Sequence, residues 1–306
     1  MKLSRKEGAI LEPIPEHPWE SQAVLNPGTV REGDFVHMLY RAVEGENYST
    51  LGYAKLNRAG EVLERRPKPV ISRTRAEEKQ GCEDGRIVLF EGTYYIFYTA
   101  YDGKNVRVSA ASTSDFVNYT KHGIVIPNVN NKDAMIFPEK INGKVILIHR
   151  VDPDIQFAYF DSIEEMLSGD ERYWADYMKN IKDYTIMRPQ FEWEYKKIGA
   201  GAPPIKTKEG WILIYHGVDK NYIYRGSAAL LDLDDPSIVI SRLSEPIIEP
   251  IRKYELIGDV PNVVFPEGTA LFDNELLVYY GGADKVIGMA STDINELLDA
   301  LLKQRS

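Results

Sequence analysis

Five segments of the chain share one pattern, and a pattern repeated five times leaves few folds open. DFVHMLYRAVEG (34–45), TYYIFYTAYDG (93–103), GKVILIHRVDPD (143–154), GWILIYHGVDK (210–220) and NELLVYYGGADK (274–285) each run from a turn through an apolar strand to a polar tip. Upstream of each stands a shorter segment: NPGTV (26–30), EDGRIVLF (83–90), DAMIFPEKI (133–141), GAGAPPIKT (199–207) or FPEGTALF (265–272). Gly, Asn or Asp occupies the turn between the two, as hairpins require. A third segment follows, as in STLGYAKL, VRVSAAST, IQFAYFD, YIYRGSAALLD and VIGMAST. Modules repeated at this spacing are the signature of radial repetition, so the sequence predicts an all-β, five-bladed β-propeller, with residues 1–306 as a single domain. A β-sandwich would give no reason for five hairpins to share the same tip chemistry.

Two stretches break the strand pattern. Residues 162–180 read as a short helical insertion after the third module. DINELLDALLKQ (293–304) reads as a C-terminal helix with Ile294, Leu297, Leu298, Leu301 and Leu302 on one face, packed outside the ring. The strand that closes the ring comes from the N-terminal segment or from the C-terminal end, and the pattern fits both.

Composition excludes several classes of function. A net charge of -9 gives no reason to expect attraction to a nucleic-acid backbone. The start, MKLSRKEGAILEPIPEHPWE, lacks the apolar core of a leader peptide, and no run is long enough to span a bilayer, so a cytoplasmic protein with no membrane partner is expected. The single cysteine, Cys82, rules out an internal disulfide framework and reads as a small buried hydrophobe. His17, His37 and His122 carry no pattern and no pair has metal-ligand spacing, so no metal is expected; there is no GxSxG elbow and no P-loop.

If the modules are arranged radially, equivalent positions converge. The first residues beyond the apolar runs are Arg41, Thr99, Arg150, His216 and Gly281. Three residues later come Glu44, Asp102, Pro153 (beside Asp152 and Asp154), Asp219 and Asp284, while Asn26, Asp84, Arg86 and Asp133 stand at the starts of the inner strands. A pocket crowded with both signs of charge suits sugar and phosphate better than an apolar ligand. For Glu44 and Asp219 a turn-capping role is the simpler account. For Asp102 and Asp284 the neighbours Tyr101, Gly281 and Gly282 favour a saccharide-binding surface. His149 and His216 both follow apolar strands, where a satisfied core histidine is usual, but His216 lies one place nearer the expected pocket.

Through EDGRI, YTAYDG, HR, KIGAGAPPI, YHGVD and YYGGADKVIG, with NPG and LYRA near the start, the chain resembles glycoside hydrolase family 130 over about residues 20–292. The resemblance implies a five-bladed propeller acting on β-mannosides with inorganic phosphate as co-substrate and no cofactor. It implies Asp102 as proton donor, Asn26, Arg41, Asp84, Arg86 and Asp284 as residues holding the mannosyl unit and its neighbour, and Arg150, Lys197 and His216 as a phosphate clamp. Tyr101 joins the substrate-binding set as the aromatic neighbour of Asp102. Gly85 departs from the proline that many members carry after the aspartate. A minority branch of the family comprises inverting β-1,2-mannosidases that lose the basic clamp, and this chain keeps it. Linkage, acceptor and oligomeric state, a homo-oligomer included, stay open.

The two activities differ in what they ask of the protein. An inverting hydrolase needs a general acid and a general base with water between carboxyl groups about 6.5–9.5 Å apart. Phosphate is already an anionic nucleophile, so a phosphorylase needs the acid plus a cationic clamp. For Asp102 to carry a proton near neutrality its pKa must be raised, which burial beside Tyr101 and proximity to Asp84 or Asp284 would favour and nearby cations would oppose. Two other readings remain. A non-catalytic carbohydrate-binding propeller has no evident need for a cationic cluster beside an isolated acid. In a furanoside-cleaving enzyme Asp84, Asp102 and Asp284 would be the three carboxylates, but the HR and KIGAGAPP stretches do not fit it.

Overall fold

The repeated segments become five antiparallel meanders in the structure, a computed structural model in which residues 1–305 are described. A short strand, β1 (Ser4–Arg5), precedes them. The first meander is β2 (Ala23–Glu32), β3 (Phe35–Glu44), β4 (Tyr48–Asn57) and β5 (Val62–Arg65), and the second is β6 (Gly81–Phe90), β7 (Thr93–Tyr101), β8 (Val106–Thr113) and β9 (Thr120–Ile126). The third is β10 (Lys132–Ile136), β11 (Val145–Val151), β12 (Asp154–Phe160) and β13 (Thr185–Met187). In the fourth, β14 (Lys197–Ala200) and β15 (Ile205–Thr207) pair in turn with β16 (Gly210–Val218), followed by β17 (Tyr224–Leu231) and β18 (Val239–Arg242). The fifth is β19 (Val264–Phe272), β20 (Glu275–Gly282) and β21 (Val286–Asp293). The second strands are mostly apolar in their middles, where both faces are covered; every residue of β16 is buried.

The leading strands of the meanders approach one another closely. A Cβ on Gly28 of β2 would stand 1.9 Å from the carbonyl oxygen of Gly85 in β6, so only glycine fits there. The Thr29 hydroxyl donates to the Thr269 carbonyl of β19 at 2.9 Å. Arg86 of β6 reaches Asp133 of β10 at 3.2 Å and the carbonyl of Ala200 in β14 at 3.1 Å. The ring of His216, in β16, rests on Phe265 of β19 at 4.3 Å. The N-terminal segment adds a strand to the fifth meander: β1 pairs with β21 through Ser4↔Ser291 and Arg5↔Ala290.

The helical insertion lies inside the third meander and not after it. Helices α1 (Ile163–Leu167) and α2 (Glu171–Lys179) separate β12 from β13, capped by Ser162 and Asp170. Helix α3 (Lys253–Leu256) precedes β19, and α4 (Ile294–Leu302) follows β21. Helix α4 buries Ile294, Leu297, Leu298 and Leu301 against Leu230, Leu243, Leu276 and Val278 of the fourth and fifth meanders, while Leu302 is half-buried. Among the described residues, no helix is long and apolar enough to cross a membrane.

One construction recurs in four meanders. A fully buried glutamate in the turn before the leading strand accepts from the tyrosine hydroxyl of the second strand and from a cation of the fourth. The sets are Glu20–Tyr40–Arg65, Glu78–Tyr98–Lys121, Glu194–Tyr215–Arg242 and Glu255–Tyr280–Arg5. Arg5 lies in β1, so this N-terminal strand supplies the cation expected of a fourth strand. In the third meander His149 takes the tyrosine's place, and Tyr177 of α2 meets its Nε2 at 2.7 Å. The insertion thus substitutes for the glutamate turn.

Candidate active site

The leading strands carry β-bulges that swing polar side chains toward the centre. Register slips between Leu25 and Pro27, Glu83 and Arg86, Lys132 and Met135, and Pro266 and Gly268. The residues displaced at these points include Asn26 (φ 45°), Asp84 (φ 53°), Asp133 (φ 55°) and Glu267, all buried. Asn and Asp tolerate the left-handed backbone that a bulge of this kind imposes.

On one side of the centre the groups suit a sugar. The Asn26 amide donates to Asp84 Oδ1 at 2.9 Å. Arg41 donates to Glu83 at 2.8 Å, and its Nη1 lies 3.6 Å from Asp84. Burial alone would raise the Asp84 carboxyl, but Arg41, Lys132 and the Asn26 amide hold it below the usual carboxylate value. Asp284, in the left-handed tip after β20, is pushed up to about 6 by burial, with Arg41 opposing and Asp84 adding to the shift. Arg86 does not reach the opening. It is 1% exposed and spends its donors on the carbonyls of Gly201, Ala200 and Asp84 and on Asp133, so it fixes the floor. Glu267 lies beneath it, its Oε1 3.7 Å from Arg86 Nη1, and burial pushes its carboxyl well above the ordinary value.

On the other side the groups suit an anion. Arg150 Nη1 meets Asp133 Oδ2 at 2.5 Å and donates to His216 Nε2 at 3.0 Å, while its Nε lies 2.7 Å from Asp152 Oδ1. Lys197 Nζ lies 3.4 Å from Asp152 Oδ2. Gly199 sits beneath this cluster: a Cβ there would fall 2.2 Å from Asp133 Oδ2 and 2.6 Å from Arg150 Nη1. Burial lowers the Lys197 ammonium, and Arg150 lowers it further. A cavity of about 480 Å³ opens on Arg150, Asp152 and Lys197, and Lys132 lines it as well. Lys132 Nζ is also 3.9 Å from Asp84 Oδ2, so this side chain joins the two halves.

One expectation for the clamp is corrected, and an open point about the acid is answered. His216 was expected as one of three basic clamp residues; it is fully buried behind Arg150, and burial holds its imidazole well below the ordinary value, so it is neutral. As acceptor at Nε2 it orients Arg150 and adds no charge. The sequence leaves open whether burial beside Asp84 or Asp284, or the nearby cations, prevails at Asp102. Its hydrogen-bond partners among the described residues lie in its own turn: the backbone N–H of Asn105 at 2.6 Å, the Asn105 amide at 2.9 Å and the N–H of Lys104 at 2.7 Å. These donors, led by Asn105, lower its carboxyl to about 2, because a carboxylate that accepts several N–H groups is stabilised ionised. It is half-exposed, like Tyr101, at the tip between β7 and β8. Asp219 has the same turn-capping geometry, accepting from Asn221 and Ile223 and pairing with Arg225, and Glu44 pairs with Arg73.

The structure therefore brings together Asn26, Arg41, Asp84, Arg86, Asp284, Arg150, Lys197 and His216; Asp102 and Tyr101 lie at the tip that leads into β8, whose first residue, Val106, lines the same cavity. Lys132 is a new member, and roles are gained by Asp133, paired with Arg150, and Glu267, near Arg86. The signal for the last two was present: the register of NPG, EDG, DAM and PEG places Asn26, Asp84, Asp133 and Glu267 at the same point of their strands.

A family model described as beta-1,4-mannooligosaccharide phosphorylase matches residues 7–303. A 1,2-beta-oligomannan phosphorylase of Thermoanaerobacter sp. (strain X514) is 40% identical over 308 residues, covering 97% of this chain and 99% of the relative. A beta-1,2-mannobiose phosphorylase of the same organism is 42% identical over 305 residues, covering 94% and 95%. Among solved structures, beta-1,2-mannobiose phosphorylase from Listeria innocua in complex with beta-1,2-mannobiose superposes with a TM-score of 0.85 at 25% identity, over 99% of this chain and 100% of that one.

Proposed function

From the premise that the chain belongs to glycoside hydrolase family 130, we propose that it is an inverting phosphorylase that cleaves a short β-1,2-linked mannoside with inorganic phosphate. The relatives matched over nearly their whole length act on β-1,2-linked mannosides, which favours that linkage. In this reading the five meanders are the blades of a β-propeller. The succession of contacts between leading strands supports it, as does the N-terminal strand in the last blade.

The observation that carries the reaction type is the pair of cations, Arg150 and Lys197, facing one cavity beside the acidic half of the site. Phosphate held there has its charge offset by Arg150 Nε, Lys197 and Lys132, and needs no general base. Asn26, Arg41, Asp84 and Asp284 hold the mannosyl hydroxyls. A phosphate oxygen forms the new bond to C1 from the face opposite the glycosidic oxygen. That C1–O bond breaks as the leaving oxygen takes a proton, and α-mannose 1-phosphate results. Asp102 is the proton source by family resemblance, and in the family the proton is thought to pass through a substrate hydroxyl. A relay of this kind suits a carboxylate at the rim that need not touch the glycosidic oxygen. Because Asp102 is ionised in the free protein, sugar binding must strip the Asn105 donors from it or shield it from water before it can carry the proton.

Lys197→Ala tests the clamp. It should raise KM for phosphate at least tenfold and KM for the mannoside less than threefold, measured by steady-state kinetics with each substrate varied. An equal rise in both constants would remove Lys197 from the phosphate site.

A further inference from the structure

We infer that Asp152 is an internal competitor for phosphate: its carboxylate holds the clamp in the free enzyme and must swing away for the co-substrate to bind. The inference rests on the phosphorylase reading of the site. Asp152 Oδ1 stands 2.7 Å from Arg150 Nε and Oδ2 stands 3.4 Å from Lys197 Nζ, so one carboxylate bridges two cations from neighbouring meanders, as a phosphate would. Arg150 Nη1 is committed inward to Asp133 and His216, which leaves Nε and Nη2 to face an anion. Asp152 thus occupies one of the two donor positions left to phosphate.

The three partners differ in freedom. The Arg150 side chain is 2% exposed and braced from behind, and that of Lys197 is 26% exposed, whereas that of Asp152 is 58% exposed at the tip between β11 and β12. Asp152 is the member that can leave. Its approach to Arg150 Nε is close but not aligned as a hydrogen bond, the mark of an electrostatic contact that a better-fitting anion displaces. Displacement separates a carboxylate from two cations before phosphate gains them, and this lowers the apparent affinity for phosphate. The same contact keeps the buried Arg150 and the lowered Lys197 partnered while the site is empty.

Titration calorimetry with inorganic phosphate, on the intact wild-type protein and on Asp152→Asn, tests this. The variant keeps the size and exposure of the side chain and loses the charge. Phosphate should bind the variant about tenfold more tightly, and the ratio of KM for phosphate to KM for the mannoside should fall by a similar factor. Equal or weaker phosphate binding by the variant, with the wild type still accelerated by phosphate, would overturn the inference and leave the phosphorylase reading standing. If neither protein binds phosphate and phosphate does not accelerate the wild type, both fall together.

Discussion

Asp102 and Asp284 close equivalent hairpin tips, yet their proton affinities move in opposite directions. Asp102 accepts three N–H groups from its own turn and drops to about 2; Asp284, half-buried, rises to about 6 through desolvation, with nearby Asp84 adding to the rise. The rise has a stability consequence. Below its ordinary value of 3.8 Asp284 is protonated folded or unfolded, and no penalty applies. As pH rises toward 6 the unfolded chain releases its proton more readily than the folded one, so a penalty develops and persists above that pH. Asp284→Asn should therefore stabilise the fold at pH 7 by about 1–2 kcal/mol after allowance for partial exposure, with no gain near pH 3, as denaturant unfolding at the two pH values would show. Asp102→Asn should instead lower kcat by roughly 10²–10⁴-fold and leave Tm nearly unchanged. The sequence pointed to both aspartates, because the repeat aligns the tips and the resemblance separates their roles. It could not reveal their ionisation, which depends on Asn105 turning back onto one and Asp84 lying near the other. Asp133 was read only as a pocket residue without a role and Glu267 was missed: a bulge places both by an irregularity of register and not by strand alternation, and Asn26 and Asp84, at equivalent bulges, were assigned through the resemblance.

The hairpin elements are held at their open ends by the buried glutamates. Glu194 is fully buried, and besides Tyr215 and Arg242 it accepts the backbone N–H groups of Gln190 and Phe191. Removing the carboxylate leaves Arg242 buried without its partner. Glu194→Ala should cost roughly 3 kcal/mol in denaturant unfolding, and Glu194→Gln distinctly less. A loss from Glu194→Ala no greater than from an exposed glutamate such as Glu296 would contradict the role assigned to this network. The glutamate-to-tyrosine spacing is 20, 20, 21 and 25 residues in the four meanders. That near-constancy was readable, but it spans a turn and two strands, beyond the reach of local periodicity. The C-terminal helix was legible from its apolar face and the insertion from its break in the strand pattern, whereas the four-residue α3 is too short to show a pattern. The last strand of the third meander was not, because the insertion separates Thr185–Met187 from the strand it pairs with.

At the scale of the whole molecule, the five modules were legible because each repeats the alternation between turn and apolar strand, whereas the pairing of the N-terminal segment with the last module was not, since a two-residue strand, Ser4–Arg5, carries no pattern. Yet that strand matters: Arg5 completes the buried set with Glu255 and Tyr280, and Leu3 joins the core shared with α4. Arg5→Ala should lower Tm by several degrees, with a loss of roughly 3 kcal/mol, although it lies in the outermost strand. The protein is acidic overall, so phosphate affinity depends on the local cations of one cavity. The most direct test of that claim is the cleavage of β-1,2-mannobiose with phosphate first omitted and then supplied at saturation, the products being identified by phosphorus and proton NMR. The account predicts little turnover without phosphate and stoichiometric α-mannose 1-phosphate with it. Release of free mannose at the same rate in both conditions would contradict it.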